Sequence, residues 1–176
     1  MCMAMAAALF GLAAACAGQA HEGVSPSGRT FSISASVPGC GPATVSEDSR
    51  ASLGLDYVCD VAPEQFAAAQ ATVWVVVLKQ ALQVAPRDFL IGQSQQWWPD
   101  MAAEDRAANI SVQTKVLANG AQRFHCIHRD DVANLAGDAL CVLDTPTIEV
   151  LIAGRSTMAL TADAGVDAVL KAATIR

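Results

Sequence analysis

The sequence predicts an α+β protein in which small antiparallel sheets carry short packed helices and disulfides staple the units together. Three observations predict it. Asn109 to Cys141 reads as strand, tight turn, strand and helix, with Cys126 on the second strand and Cys141 after the helix. Phe31, Ile33, Ala35 and Val37 alternate with serines, the period of two that suits a half-buried strand. Ala71 to Leu82 is the most apolar run after the first twenty residues, and its four valines around Trp74 favour a buried central strand.

A chain of 176 residues can build one domain with a real core. Hydrophobic residues make up 53% and charged residues 16%, too apolar for a disordered chain. The formal net charge of -6 argues against nucleic acid as a partner, since phosphate backbones attract basic faces. The expected division is a leader over residues 1–20, a flexible lead-in over 21–30, and a single α+β domain over 31–176 with an internal seam at the polar stretch 92–96.

Met1 to Ala20 has no charge and carries an apolar run from Ala6 to Ala15, the profile of an export signal. That run is shorter than the roughly twenty residues a membrane span needs. Two exits compete: cleavage after Ala17 or Ala20, or lipidation of Cys16 after Leu12-Ala13-Ala14-Ala15. The expected location is therefore the periplasm or the medium, or the outer membrane if Cys16 carries lipid. A membrane enters only through that anchor.

Beyond the leader stand Cys40, Cys59, Cys126 and Cys141. An even number in an exported chain reads as disulfides, and four cysteines allow three connectivities. Nearest-neighbour pairing is expected, because Cys40 with Cys59 and Cys126 with Cys141 would each close a local unit. The spacings match no common zinc pattern, and no metal or cofactor is expected.

Taken in order, Pro38 to Pro42 makes a rigid turn and Leu53 to Cys59 a second short strand. Asp60 is placed to cap a helix beginning at Pro63. Ala85 to Asp88 breaks the apolar run, and Trp97-Trp98-Pro99 opens a short helix through Ala108 in which the tryptophans serve as anchors. Ile110, Val112, Thr114 and Val116 form one face of a strand, and Asn119-Gly120 tolerates the positive φ angles of a hairpin turn. On the returning strand Phe124, Cys126 and His128 share one face while Arg123, His125 and Ile127 share the other, with Phe124 and Cys126 toward the core. Asp130 or Asp131 would cap a helix with the stripe Val132, Leu135, Ala136 and Ala139. Pro146 to Ile152 and Arg155 to Thr161 suggest a hairpin about Ala153-Gly154. Asp163 would cap a last helix, Val166 to Ala173, with Asp167 and Lys171 as a surface pair.

His125 and His128 with Asp130 and Asp131 form the densest titratable cluster and are the candidates for acid-base or metal chemistry. Residues three apart on a strand point to opposite faces, which argues against a chelate. No G-x-S-x-G elbow, phosphate loop or H-E-x-x-H is present. No catalytic residue is therefore assigned.

The order of Trp98-Pro99, an alanine-rich helical turn, Ile110 to Val116, Asn119-Gly120, a strand holding Cys126 and a helix ending at Cys141 resembles the C-terminal periplasmic domain of TonB-family energy transducers. The likeness covers about residues 97–141. It implies a sheet edge that pairs with a partner's extended segment. The family's proline-rich spacer is absent, and the chain runs Val142 to Gly154 where the family shows an apolar-aromatic-proline segment. The expected function is that of an exported bacterial envelope protein that binds an envelope protein or peptide. The alternative is a small secreted hydrolase that uses His125 or His128.

Overall fold

The computed structural model describes residues 20–47, 49–60, 69–97, 99, 113–116, 122–131, 136–156 and 162–176. Its strands are β1 (His21–Val24), β2 (Thr30–Ile33), β3 (Thr44–Val45), β4 (Ala51–Asp60), β5 (Gln70–Leu82), β6 (Gln113–Val116), β7 (Arg123–Asp131), β8 (Ala136–Leu143), β9 (Ile148–Ser156) and β10 (Ala173–Ile175). Its helices are α1 (Pro86–Trp97) and α2 (Ala162–Ala172). Among the described residues the strands form a seven-stranded sheet in the order β3-β4-β5-β9-β8-β7-β6 and a three-stranded sheet in the order β1-β2-β10, with antiparallel pairing throughout. The fold is a small, sheet-rich α+β fold.

β5 sits inside the large sheet because its alternation leaves no wet side. Ala71, Val73, Val75 and Val77 are fully buried on one face, and Thr72, Trp74, Val76 and Leu78 are half-buried on the other. β4 and β9 flank it. The main core lies on the first face, where Leu55, Tyr57, Phe124, Cys126, Cys141 and Ile152 meet a second layer made of α2 and the small sheet. On α2, Ala162, Gly165, Val166, Val169 and Leu170 recur at helical spacing and are the buried stripe. From the small sheet come Phe31, Ile33, Ala173 and Ile175. A second cluster on the opposite face joins Leu90 of α1 to Ile127, Leu140, Val142 and Ile148.

Both disulfides follow the nearest-neighbour pairing. Cys126 and Cys141 are register partners on β7 and β8, with their Cα atoms 4.1 Å apart. Cys40 and Cys59 form an isolated antiparallel bridge with Cα atoms 3.8 Å apart. Around that bridge Gly41 N–H donates to Val58 O and Asp60 N–H to Gly39 O, so the cysteines occupy a non-hydrogen-bonded pair, where side chains stand closest. Gly39 turns into it at a φ of 80°.

Several expectations are corrected. The helix expected to end near Cys141 is β8: Gly137, Ala139, Leu140, Cys141, Val142 and Leu143 are buried on two faces between β7 and β9, a demand that overrides the helical preference of alanine. That removes one of the elements on which the TonB resemblance was built. The hairpin about Ala153-Gly154 is the continuous strand β9, because Gly154 serves contact and not turning. A Cβ there would lie 2.8 Å from Val166 Cγ2 and 3.0 Å from Ala162 O, so the missing side chain is what lets α2 rest on the sheet. The seam at 92–96 lies within α1, which starts at Pro86 and carries Asp88 in its first turn, both favourable at a helix N-terminus. Ser94 is buried there and donates to Ile91 O at 2.6 Å. The first four residues of the lead-in are β1, paired with β2. The strand from Phe31 ends at Ile33, although Val37 is still buried.

The leader with Cys16, the helix expected from Pro63, Trp98 with the helix through Ala108, the Asn119-Gly120 turn and residues 132–135 lie outside the described residues.

Candidate binding groove

Beyond Ile33 the chain leaves β2 but stays extended. Ser34 N–H still reaches Ala172 O at 3.3 Å, and Cys40 N–H closes a turn onto Val37 O at 3.0 Å. In between, Ser36 N–H donates to Ser34 Oγ at 3.3 Å, and the main chain of Ala35 has no main-chain partner among the described residues. Val37 is buried in the core, and the Cys40–Cys59 bond holds the far end, so this short segment is pinned at both ends.

Opposite it runs a second stripe of α2, Ala164, Ala168, Lys171 and Ala172, one helical face beside the buried stripe. Together with Ser34, Ser36 and Pro38 these residues enclose a groove of about 500 Å³. Alanines keep one wall low, prolyl and seryl groups make the other, and Lys171 sets a cation at the helix's last turn. Its expected partner is engaged elsewhere: Asp167, with Asp163, accepts from Lys115 Nζ, each at 2.6 Å. Lys171 has no ion pair among the described residues. Such a site offers main-chain hydrogen bonds, shallow apolar walls and one positive charge, the requirements of an extended peptide.

Lys115 itself is a finding against the expected face of β6. It stands opposite Phe124, on the side that meets α2, while Thr114 stands opposite His125 and is exposed. Burial lowers the ammonium's pKa, but hydrogen bonds and attraction from Asp163 and Asp167 outweigh that and leave it raised. The staple therefore ties an edge strand of the large sheet to the helix that forms the groove.

The histidines lie apart. His125 Nε2 is 3.0 Å from Asp144 Oδ1, on the side of β7 opposite Phe124 and Cys126, and His128 is exposed on the Phe124 side. Among the described residues no three His, Cys, Asp or Glu side chains gather as a metal site. Cys40, Cys59, Cys126 and Cys141 serve as staples. No protein-family model, curated protein or solved structure matches the chain.

Sequence reading missed the groove, since its walls lie roughly 130 residues apart in the chain, and no local pattern links Ser34 to Ala168. The hint was compositional: Ala164, Ala168 and Ala172 recur every four residues, a stripe too small to fill a core.

Proposed function

We propose that this chain is an exported binding module that holds an extended peptide segment in the groove between residues 34–38 and α2. The supporting observation is that Ser34, Ser36 and Pro38, on a pinned segment whose Ala35 has no main-chain partner among the described residues, line a groove against the alanine stripe of α2 with Lys171 at one end. A peptide laid there would extend the small sheet by main-chain pairing, and an acidic residue or terminal carboxylate would meet Lys171. This keeps the main-chain docking implied by the TonB-like order of motifs but moves it to the segment that continues β2, the central strand of the small sheet, past the ends of its two neighbours. Two disulfides favour an oxidising compartment, and none of the described helices is long and apolar enough to cross a membrane. In this reading the leader ends by cleavage or by lipidation of Cys16, and the partner is an envelope protein or peptide. Mass spectrometry of the mature N-terminus distinguishes the two exits.

The deciding experiment is fluorescence anisotropy with a library of extended peptides bearing acidic or neutral ends, on wild type, Ala168→Trp and Lys171→Glu. Binding that Ala168→Trp abolishes and Lys171→Glu weakens for acidic peptides is expected. Peptides that bind Ala168→Trp as well as wild type would sink the proposal. A hydrolase using His125 is the second reading, favoured by the Asp144 carboxylate that orients the ring. Loss of a detected hydrolysis in His125→Ala, with peptide binding unchanged, would favour it.

A further inference from the structure

β5 outruns β4 and bulges away from β9 near its end. The ladder with β4 ends at Leu78, where Lys79 N–H still reaches Arg50 O at 2.9 Å. On the other side the register jumps from Val77 opposite Val150 to Leu82 opposite Ile148. Gln80 and Ala81 therefore have no ladder partner in either neighbour. At the flare lies a cleft of about 540 Å³ that shares no lining residue with the groove on α2.

The cleft has two chemical halves. Leu78 and Val84 pack against the second core and make an apolar wall, and Leu82 continues it outward at 42% exposure. At the other side Lys79 Nζ donates to Ser49 O at 3.2 Å, with Arg50 beside it. Lys79 pairs with no carboxylate among the described residues. In a chain with six more acidic than basic groups, a cation held at the rim by a neutral carbonyl selects for an incoming anion.

We propose that this cleft binds an anionic amphiphile, with a carboxylate or phosphate head on Lys79 and an aliphatic chain along Leu78, Leu82 and Val84. Neither half suffices alone. A bare anion would be screened at so exposed a cation, and a neutral chain would bury only modest area. The cleft volume falls within the range of small-molecule sites.

The test is isothermal titration of the full chain with decanoate, decyl phosphate, decanol and inorganic phosphate, below micelle formation. Both anionic amphiphiles are expected to bind, and decanol and inorganic phosphate at least tenfold more weakly. The tighter of the two heads shows whether a fatty acid or a lysolipid is the source. Lys79→Gln should weaken the anionic amphiphiles about tenfold and Lys79→Arg should not. Leu82→Ser should weaken them with no change in fold by circular dichroism, because both side chains are solvent-facing. Ala168→Trp should leave this binding intact, which separates it from the peptide groove. Absence of binding, or decanol binding as tightly as decanoate with Lys79→Gln unchanged, overturns the proposal.

Discussion

Tyr57→Phe should stabilise the protein. Tyr57 stands on β4, fully buried among Leu55, Val73 and the α2 layer, and its hydroxyl has no hydrogen-bond partner among the described residues. A buried polar group without a partner costs about 1–3 kcal/mol, whereas the ring's apolar burial survives the change to phenylalanine. Loss of the oxygen leaves a gap smaller than a methyl group, worth under about 1 kcal/mol. The balance favours the variant by about 1 kcal/mol, a rise in Tm of about 2–4 °C for a domain of this size. The alkaline limb supplies an independent reading. Burial pushes the phenol up from 10.0 to about 12, so between those values the unfolded chain has released a proton that the folded chain keeps. Wild-type stability is therefore whole below pH 10 and falls as pH rises toward 12, by up to about 1.4 kcal/mol per unit from this group. Lys115, also raised, adds to the fall in the same direction. Urea titrations between pH 7 and 11 should show Tyr57→Phe with the higher midpoint, an unchanged m-value and a shallower alkaline slope. A variant less stable than wild type at pH 7, or one with the same alkaline slope, would refute the reasoning and point to a partner for the hydroxyl.

Three further outcomes are expected. Gly154→Ala should cost about 1–3 kcal/mol by overpacking α2, and Val166→Ala in the same chain should recover part of that loss, measured as a double-mutant cycle in urea. Lys115→Met should cost about 1 kcal/mol and raise amide exchange in β6, with most of the difference gone at high salt; exchange unaltered in β6 would show that the two aspartates do not hold the edge. Replacing Cys126 and Cys141 together by alanine should cost about 3 kcal/mol, and non-reducing peptide mapping of wild type should recover only the Cys40–Cys59 and Cys126–Cys141 pairs.

The parts of the fold legible in the sequence are those where a single local pattern and the global demand agree. β5 alternates from Ala71 to Val77 with β-branched residues, and propensity, periodicity and burial coincide. Phe124 and Cys126 fall on the core face for the same reason, and alternation already separates His125 from His128. Misreadings arose where alanine and glycine blur the signal. Ala136 and Ala139 fit a helical stripe as well as a strand, and only the neighbours β7 and β9 choose. Gly154 looks like a turn residue, since nothing local announces a helix so close that an added Cβ would lie 2.8 Å from Val166 Cγ2. Polar Gly92 to Gln96 resembles a linker, yet Leu90, with Phe89 packed beside it, seats α1 on the second core. The binding groove and the cleft at Lys79 belong to tertiary juxtaposition, which local periodicity does not encode.

The small sheet sets an order of events. Ile33 of β2 pairs with Ala173 of β10, roughly 140 residues later, and Thr30 exchanges both main-chain hydrogen bonds with Arg176 at 3.0 Å. A ribosome that delivers β1 and β2 first must therefore leave them without their third strand until α2 and β10 have followed. Loop closure over that distance makes this pairing a late step. The hairpin of the large sheet around Cys126 and Cys141 can close and oxidise while the small sheet is still waiting. One wall of the groove beside Lys171 is built where β2 ends and the other from α2, so the groove comes into being only when the last helix and strand dock, and the first half of the chain alone holds no more than one side of it.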